Sequence, residues 1–401
     1  MIPNINVKNI NKHLALDLIR FSMGGIARVD LARELNLTRA AVTSIIQDLS
    51  KAGLVREVGS QPSGRKPVVL EINPNFGKVI GIDLGATHMT LIVANYAGQV
   101  IREVETPLEI NDGPQVCLTH VIRQVRQTLH DLGVPLSEVK AVGMGVPGPV
   151  VSEKGMVSSP PIMPNWDHFP IRDYMAEQLG VPVTLGNDAE LGALGEWAYG
   201  AGRGEKVLAY IKVGTGIGAG LLIDGKIFHG ATGTAGEIGH IVIDRKGPKC
   251  TCGNYGCLEA FAGGRAIARR AQDFVRKNQR SRLAEIQPVE AIRAKDVIAA
   301  ARRGDLPAQQ IIKEVGYAVG SALSSLVNLF NPSMIVVGGQ VSQCGDLFLE
   351  PMRKAVDEKS LRVAADHVCI AAAYLGRRSS GIGAVVEALT IALHQFADDN
   401  E

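Results

Sequence analysis

The chain has 401 residues, 46% of them apolar and 20% charged, with a formal net charge of +2. Its length allows two or three domains, and its composition excludes a disordered, fibrous or disulfide-scaffold protein. No run of about eighteen apolar residues marks a membrane span, and the opening MIPNINVKNINKH lacks the apolar stretch of a signal peptide; a cytoplasmic protein without membrane insertion is expected.

Residues 1–72 carry ten Lys or Arg against six Asp or Glu, a local charge of +4 that leaves −2 on the rest. A positive end on a nearly neutral body points to an anionic partner for that end. Leu14 to Phe21 has amphipathic helical spacing, and Ile26 to Leu35 reads as a second short helix. After a turn at Asn36-Leu37, Thr38 stands as N-cap of a third helix, Arg39 to Leu49. Ala32, Leu37, Val42 and Ile45 fall where the last two helices pack together, while Arg39, Thr43, Ser44 and Gln47 fall on the opposite face. This is the pattern of a helix-turn-helix whose second helix enters a major groove. Strands at Gly53–Gly59 and Val68–Ile72 then flank a Ser/Gly/Pro tip carrying Arg65 and Lys66. Such a wing reaches phosphates or the minor groove. A generic helix trio with a hairpin fits the same spacing, but helix pair, polar face, basic tip and local charge agree on double-stranded DNA. One winged module binds with limited affinity, so a homodimer on two half-sites follows.

Asn73 to Gly77 is a connector, and a new fold starts with the strand Lys78–Leu84. That strand ends in Asp83-Leu84-Gly85-Ala86-Thr87, and Met89–Tyr96 returns as a second strand. Asp83, Gly85 and Thr87 at such a tip suit a phosphate, though a plain hairpin turn reads the same way. Val181 to Gly186 is a strand, followed by Asn187-Asp188 and a helix from Ala189 to Trp197. Asp188 at that junction is placed to act as general base toward a hydroxyl, or as a simple helix cap. The strand Lys206–Val213 runs into Gly214-Thr215-Gly216-Ile217-Gly218-Ala219-Gly220. Its alternating glycines read as a loop that brings amides close to a ligand and permits positive φ. Met334 to Val337 is a buried strand ending in Gly338-Gly339, which suits a nucleoside contact or a bare strand end.

Between these lies His240-x9-Cys250-x-Cys252-x4-Cys257. Three thiols and one imidazole at this spacing form the ligand set of a closed structural zinc site. Gly247, Pro248, Gly253 and Gly256 supply the turns, and Glu237 and Glu259 flank the loop. Cys117, Cys344 and Cys369 stand in apolar segments and read as reduced core residues.

Together these motifs resemble the ROK family of repressors and sugar kinases. The resemblance rests on DLGAT (83–87), GMGVPGPV (143–150), LGNDAELGALGE (185–196), VGTGIGAG (213–220) and AGEIGH (235–240) with its cysteine loop. It implies an α/β fold: an N-terminal winged helix-turn-helix (1–72) on an actin/hexokinase-like two-lobed body. The lobes are expected at 77–195, with a C-terminal helix of about 381–401, and at 196–380. It further implies that Asn187, Asp188, Glu237, His240 and Glu259 grip a sugar or sugar-phosphate effector, and that His240 also binds zinc. Nucleotide contacts would come from Asp83, Gly85, Thr87, Gly214, Thr215, Gly216, Gly218, Gly338 and Gly339. Were kinase activity retained, Asp188 would be the catalytic base, with ATP and Mg²⁺ in the cleft. Departures stand at Ala86 and His88, where kinases of the family have Gly and Lys, and at Ser159–Trp166. The resemblance therefore favours a sugar-responsive repressor with a DNA operator, with an ATP-dependent sugar kinase as the alternative, and leaves room for a protein partner.

Overall fold

The computed structural model describes residues 7–59, 68–160, 162–278 and 280–399. The chain opens with helices α1 (Val7–Phe21), α2 (Arg28–Glu34) and α3 (Arg39–Lys51) and strands β1 (Val55–Val58) and β2 (Val69–Ile72). β1 and β2 pair antiparallel, Val55 opposite Ile72 and Val58 opposite Val69. The Thr38 hydroxyl caps α3 by accepting from the Ala41 amide at 3.2 Å. Val42, Ile45, Ile46 and Leu49 are buried, whereas Arg39, Ser44 and Gln47 are exposed and Thr43 is half-buried. Arg28 at the start of α2 donates to Glu57 on β1 at 2.7 Å, tying helix to ribbon. Arg65 and Lys66, expected at the ribbon tip, lie outside the described residues.

The first helix begins at Val7 rather than Leu14, as the spacing alone suggested. Its added turns are held by the C-terminal helix, a contact that local periodicity cannot reveal. His13 stacks on His394 with ring centroids 4.2 Å apart. Arg20 donates to the Val386 carbonyl and to the Thr390 hydroxyl at 3.2 and 3.0 Å. The apolar core of this N-terminal unit therefore runs on without a break: Leu16, Ile19, Ile46 and Leu70 belong to one cluster with Ile382, Val385, Leu389 and Leu393.

The body holds two five-stranded sheets. The first is made by β3 (Lys78–Leu84), β4 (His88–Asn95), β5 (Val100–Pro107), helix α4 (Pro114–Asp131) and β6 (Val139–Val146). A small ribbon of β7 (Val150–Val151) and β8 (Met156–Val157), helix α5 (Ile171–Leu179) and β9 (Val183–Asn187) complete it. Helix α6 (Asp188–Tyr199) crosses to the second sheet of β10 (Val207–Val213), β11 (Ile217–Ile223) and β12 (Lys226–Ile227). There follow α7 (Leu258–Ala262), α8 (Gly264–Lys277), α9 (Ala294–Arg302), α10 (Leu306–Phe330), β13 (Met334–Gly338), α11 (Asp346–Lys359), α12 (Arg362–Ala365) and β14 (Cys369–Ala372). Finally α13 (Ser379–Asp399) returns to the first sheet.

The sheet orders are β5-β4-β3-β6-β9 and β12-β11-β10-β13-β14. Each is an antiparallel meander whose first strand is flanked by two successive parallel strands, so one architecture occurs twice. α13 is long and apolar enough to cross a membrane, yet 67% of its apolar stretch is buried inside the protein. Glycines permit its close approach. A Cβ at Gly143 would meet the Ala384 carbonyl at 2.0 Å, and one at Gly383 would meet the Leu191 carbonyl at 1.7 Å.

Two expectations need correcting. The glycine run 214–220 is not all loop: only 214–216 form the turn, and Ile217–Ile223 is strand β11, with Gly218 opposite Lys212. None of Gly214, Gly216, Gly218 or Gly220 has a positive φ. Gly220 is small because α6 lies on β11, where a Cβ would meet the Ala189 carbonyl at 2.4 Å. Of the scattered cysteines only Cys117 is buried; Cys344 is half-buried and Cys369 exposed, because β14 is the edge strand of its sheet.

Candidate functional site

Asn187 ends β9 and caps α6. Its side-chain oxygen accepts from the amides of Ala189 at 2.8 Å and Glu190 at 3.2 Å, and its amide nitrogen donates to the Gly148 carbonyl at 3.0 Å. The cap is thus Asn187 rather than Asp188, and one amide hydrogen of Asn187 remains for a ligand. Asp188 is released from capping, and its carboxylate pairs with the Lys212 ammonium at 2.9 Å.

Lys212, which the sequence reading passed over, also lies 3.6 Å from Asp83. Asp83 is buried at the end of β3, and its Oδ1 has no hydrogen-bond partner among the described residues. Burial pushes the Asp83 carboxyl up to about 6, with the Lys212 ammonium opposing and Asp188 adding. Burial works against the Lys212 ammonium, but Asp188 and Asp83 outweigh it and hold its pKa above the ordinary lysine value.

The two phosphate-loop candidates are tight turns. The Gly85 amide donates to the His88 carbonyl at 2.8 Å, and the Gly214 amide to the Gly216 carbonyl at 2.9 Å. Thr87 is exposed at the tip of the first turn, and Ala86 there needs no positive φ. The Gly264 amide, at the start of α8, donates to the carbonyls of Gly214 and Thr215. Gly338 and Gly339 are enclosed by protein: a Cβ at Gly338 would strike the Tyr210 hydroxyl, and Gly339 at φ +86° passes against the Val213 carbonyl.

On the second lobe, Glu237 precedes a short turn, Ile238–His240, laid along β11 by a bond from the Ala219 amide to the Gly236 carbonyl at 2.9 Å. Burial raises the Glu237 carboxyl above its ordinary range, with His240 opposing and Glu259, Asp188 and Glu190 adding. Those carboxylates therefore share one neighbourhood, where hydroxyl donors are the natural guests. Glu259 is braced: one oxygen accepts from the Ile217 amide at 3.0 Å and the other from the Thr251 hydroxyl at 3.3 Å. His229, also passed over in the sequence, sits 3.0 Å from buried Glu190, a bond that raises the His229 pKa.

The ligand atoms of His240, Cys250, Cys252 and Cys257 all lie within 4.8 Å of one another. Cys252 Sγ is 3.7 Å from Cys257 Sγ, and Cys250 Sγ is 3.6 Å from His240 Nδ1. A tetrahedral ion with bonds of about 2.0–2.3 Å to N and S gives edges of about 3.5–3.8 Å, so the donor set fits such an ion. His240 turns its other nitrogen, Nε2, toward Glu237 at 3.8 Å. The His/Cys cluster and the carboxylate cluster thus share one imidazole.

The family match spans residues 79–391. The chain belongs to the ROK family. Among ROK relatives, the xylose repressor of Caldicellulosiruptor bescii is 34% identical over 356 residues, 88% of this chain and 89% of that protein. A solved ROK family transcriptional regulator, a homolog of the E. coli MLC protein, superposes with TM-score 0.83 at 28% identity, covering 98% of both chains. A ROK family glucokinase from Streptomyces griseus, in complex with glucose and AMPPNP, superposes with TM-score 0.68 at 31% identity, covering 78% of this chain and 99% of the kinase. The hexokinase-like body is thus common to regulators and kinases of the family.

Proposed function

We propose that this protein is a sugar-responsive transcriptional repressor of carbohydrate metabolism. The observation that carries it is the coverage: ROK regulators match the chain nearly end to end, whereas the glucokinase leaves about a fifth of it unmatched. The family match itself begins only at residue 79, after the three helices and the ribbon. In this reading those helices and the ribbon are a winged helix-turn-helix, and Thr38, Arg39, Thr43, Ser44 and Gln47 on α3 face an operator. Arg65 and Lys66 would serve the wing, and a homodimer would read two half-sites.

The sugar is held between Asn187 and Asp188 on one side and Glu237, His240 and Glu259 on the other. His240, Cys250, Cys252 and Cys257 would hold zinc, a bond that would fix the ring of His240 so that its free nitrogen meets the sugar. The signal reaches DNA through α13. Its N-terminus is tied by Ser379 to Glu196 at the crossing between sheets, and the stretch from Val386 to His394 carries α1 through Arg20 and His13. A sugar shifts this protein toward release only by binding the released state more tightly.

Glu237→Gln separates the two roles. A lost charged hydrogen bond of about 1.5–3 kcal/mol weakens sugar binding roughly tenfold to a hundredfold. Operator affinity without sugar stays at the wild-type value, because Glu237 touches neither α3 nor α1. Titrating sugar into the protein–operator complex reads both quantities; an unshifted midpoint would remove Glu237 from the sugar site.

A further inference from the structure

We propose that Lys212 is a built-in cation: its ammonium holds the place between Asp83 and Asp188 that a divalent metal would need. The cleft then binds a sugar without phosphorylating it. This rests on the reading of the cleft as a sugar site.

The geometry is specific. The ammonium lies 2.9 Å from Asp188 Oδ2 and 3.6 Å from Asp83 Oδ2, and donates to Ser380 Oγ at 3.0 Å. Asp188 and Ser380 hold the ammonium closely, and Asp83 adds an ion pair just beyond hydrogen-bond distance. Ser380 in turn donates to the Asp188 carbonyl at 2.7 Å, so the partner on α13 is itself fixed. Both cross-strand neighbours of Lys212 are glycines, Gly218 and Gly338, which leaves its stem unobstructed between β11 and β13. Facing carboxylates are the donor set of a hard divalent cation, which bridges them to phosphate oxygens. A general base also needs a free oxygen to take the hydroxyl proton. Here the ammonium neutralises the pair and fills one Asp188 oxygen, which takes the metal's role out of use and leaves the other Asp188 oxygen to a sugar hydroxyl. A single fixed charge already held by Asp188 and Ser380 cannot gather nucleotide phosphates as a metal does. Residues Asp83 and Asp188 thus stay as a family kinase would have them, while the space between them does not fit Mg²⁺.

Manganese is the direct probe. Full-length, zinc-loaded protein is titrated with Mn²⁺ alone and free Mn²⁺ is followed by electron paramagnetic resonance. Wild type is expected to bind none in the cleft. Lys212→Met is expected to bind one Mn²⁺ per chain at least tenfold more tightly than wild type, and Asp83→Asn added to it is expected to cancel the gain. Lys212→Gln serves if the Met variant does not fold, with zinc content and melting as the check on folding. A wild-type protein that binds one Mn²⁺ and loses it with Asp83→Asn overturns the proposal, as does a folded Lys212 variant with no gain. In a parallel assay with ATP, Mg²⁺ and a panel of sugars, wild type is expected to form no sugar-dependent ADP. Formation that Asp188→Asn abolishes also overturns it. Release of operator DNA by sugar is read separately, so failure of the repressor reading would leave these results unchanged.

Discussion

Cys257→Ser is expected to empty the metal site and melt the loop that presents His240. The thiol is fully buried and caps α7 with its backbone, so serine replaces it with little change of shape. What serine cannot replace is a thiolate bond to the metal. Metal content per chain should fall from about one zinc to less than about a tenth, since structural sites of this kind hold zinc with about 10–16 kcal/mol. Loss of a metal is among the few single changes that cost more than about 4 kcal/mol, which lowers the melting temperature by on the order of 10 °C. Sugar response should go with it, because His240 Nδ1 would lose its anchor and Nε2 its aim toward Glu237. Metal analysis of the purified variant decides the matter: full zinc with an unchanged melt would dismiss Cys257 as a ligand.

An effect of similar size is expected at a residue far from the metal. Glu196 on α6 is completely buried. Its carboxylate accepts from the amides of Ala201 at 2.9 Å, Tyr374 at 3.1 Å and Leu375 at 2.9 Å, and from the Ser379 hydroxyl at 2.7 Å. The chain passes between the two sheets twice, outward through α6 and back through 373–379, and Glu196 ties both passages together. Glu196→Ala removes four hydrogen bonds to a buried carboxylate, at about 1.5–3 kcal/mol for each bond to a charged group. The sum exceeds about 4 kcal/mol, a large share of an ordinary stability of about 5–15 kcal/mol. Glu196→Gln should recover less than half, since its amide turns hydrogens toward other hydrogens. Denaturant unfolding measures both variants; an alanine variant within about 1 kcal/mol of wild type would remove Glu196 from this role.

These two residues also mark the limit of what the sequence disclosed. The candidate metal ligands are close in the chain and chemically distinctive, so spacing alone brings them together. Thr38 before Arg39-Ala40-Ala41-Val42 announced its helix for the same reason: a cap is a local bond. Glu196 gave no such signal. In ALGEWAY it reads as an ordinary helical glutamate, and only the return of the chain at Tyr374–Ser379 buries it. Lys212 in VLAYIKV carries no local signal, because its partners Asp83, Asp188 and Ser380 arrive from three distant elements. The glycine run misled for another reason. Alternating Gly with Ile and Ala suits a loop and a strand equally, and the pairing of β11 with β10 decides between them. The full extent of α1 likewise depends on α13, at the opposite end of the chain.

The measurement that tests the central claim most directly is binding of the purified full-length protein to DNA from upstream of its own gene. It is made at fixed salt, with a panel of sugars and sugar phosphates added in turn. Tight, salt-dependent binding that one of these ligands releases is the predicted result. Protein with intact zinc that binds none of this DNA, or holds it unchanged through the whole panel, would contradict the account.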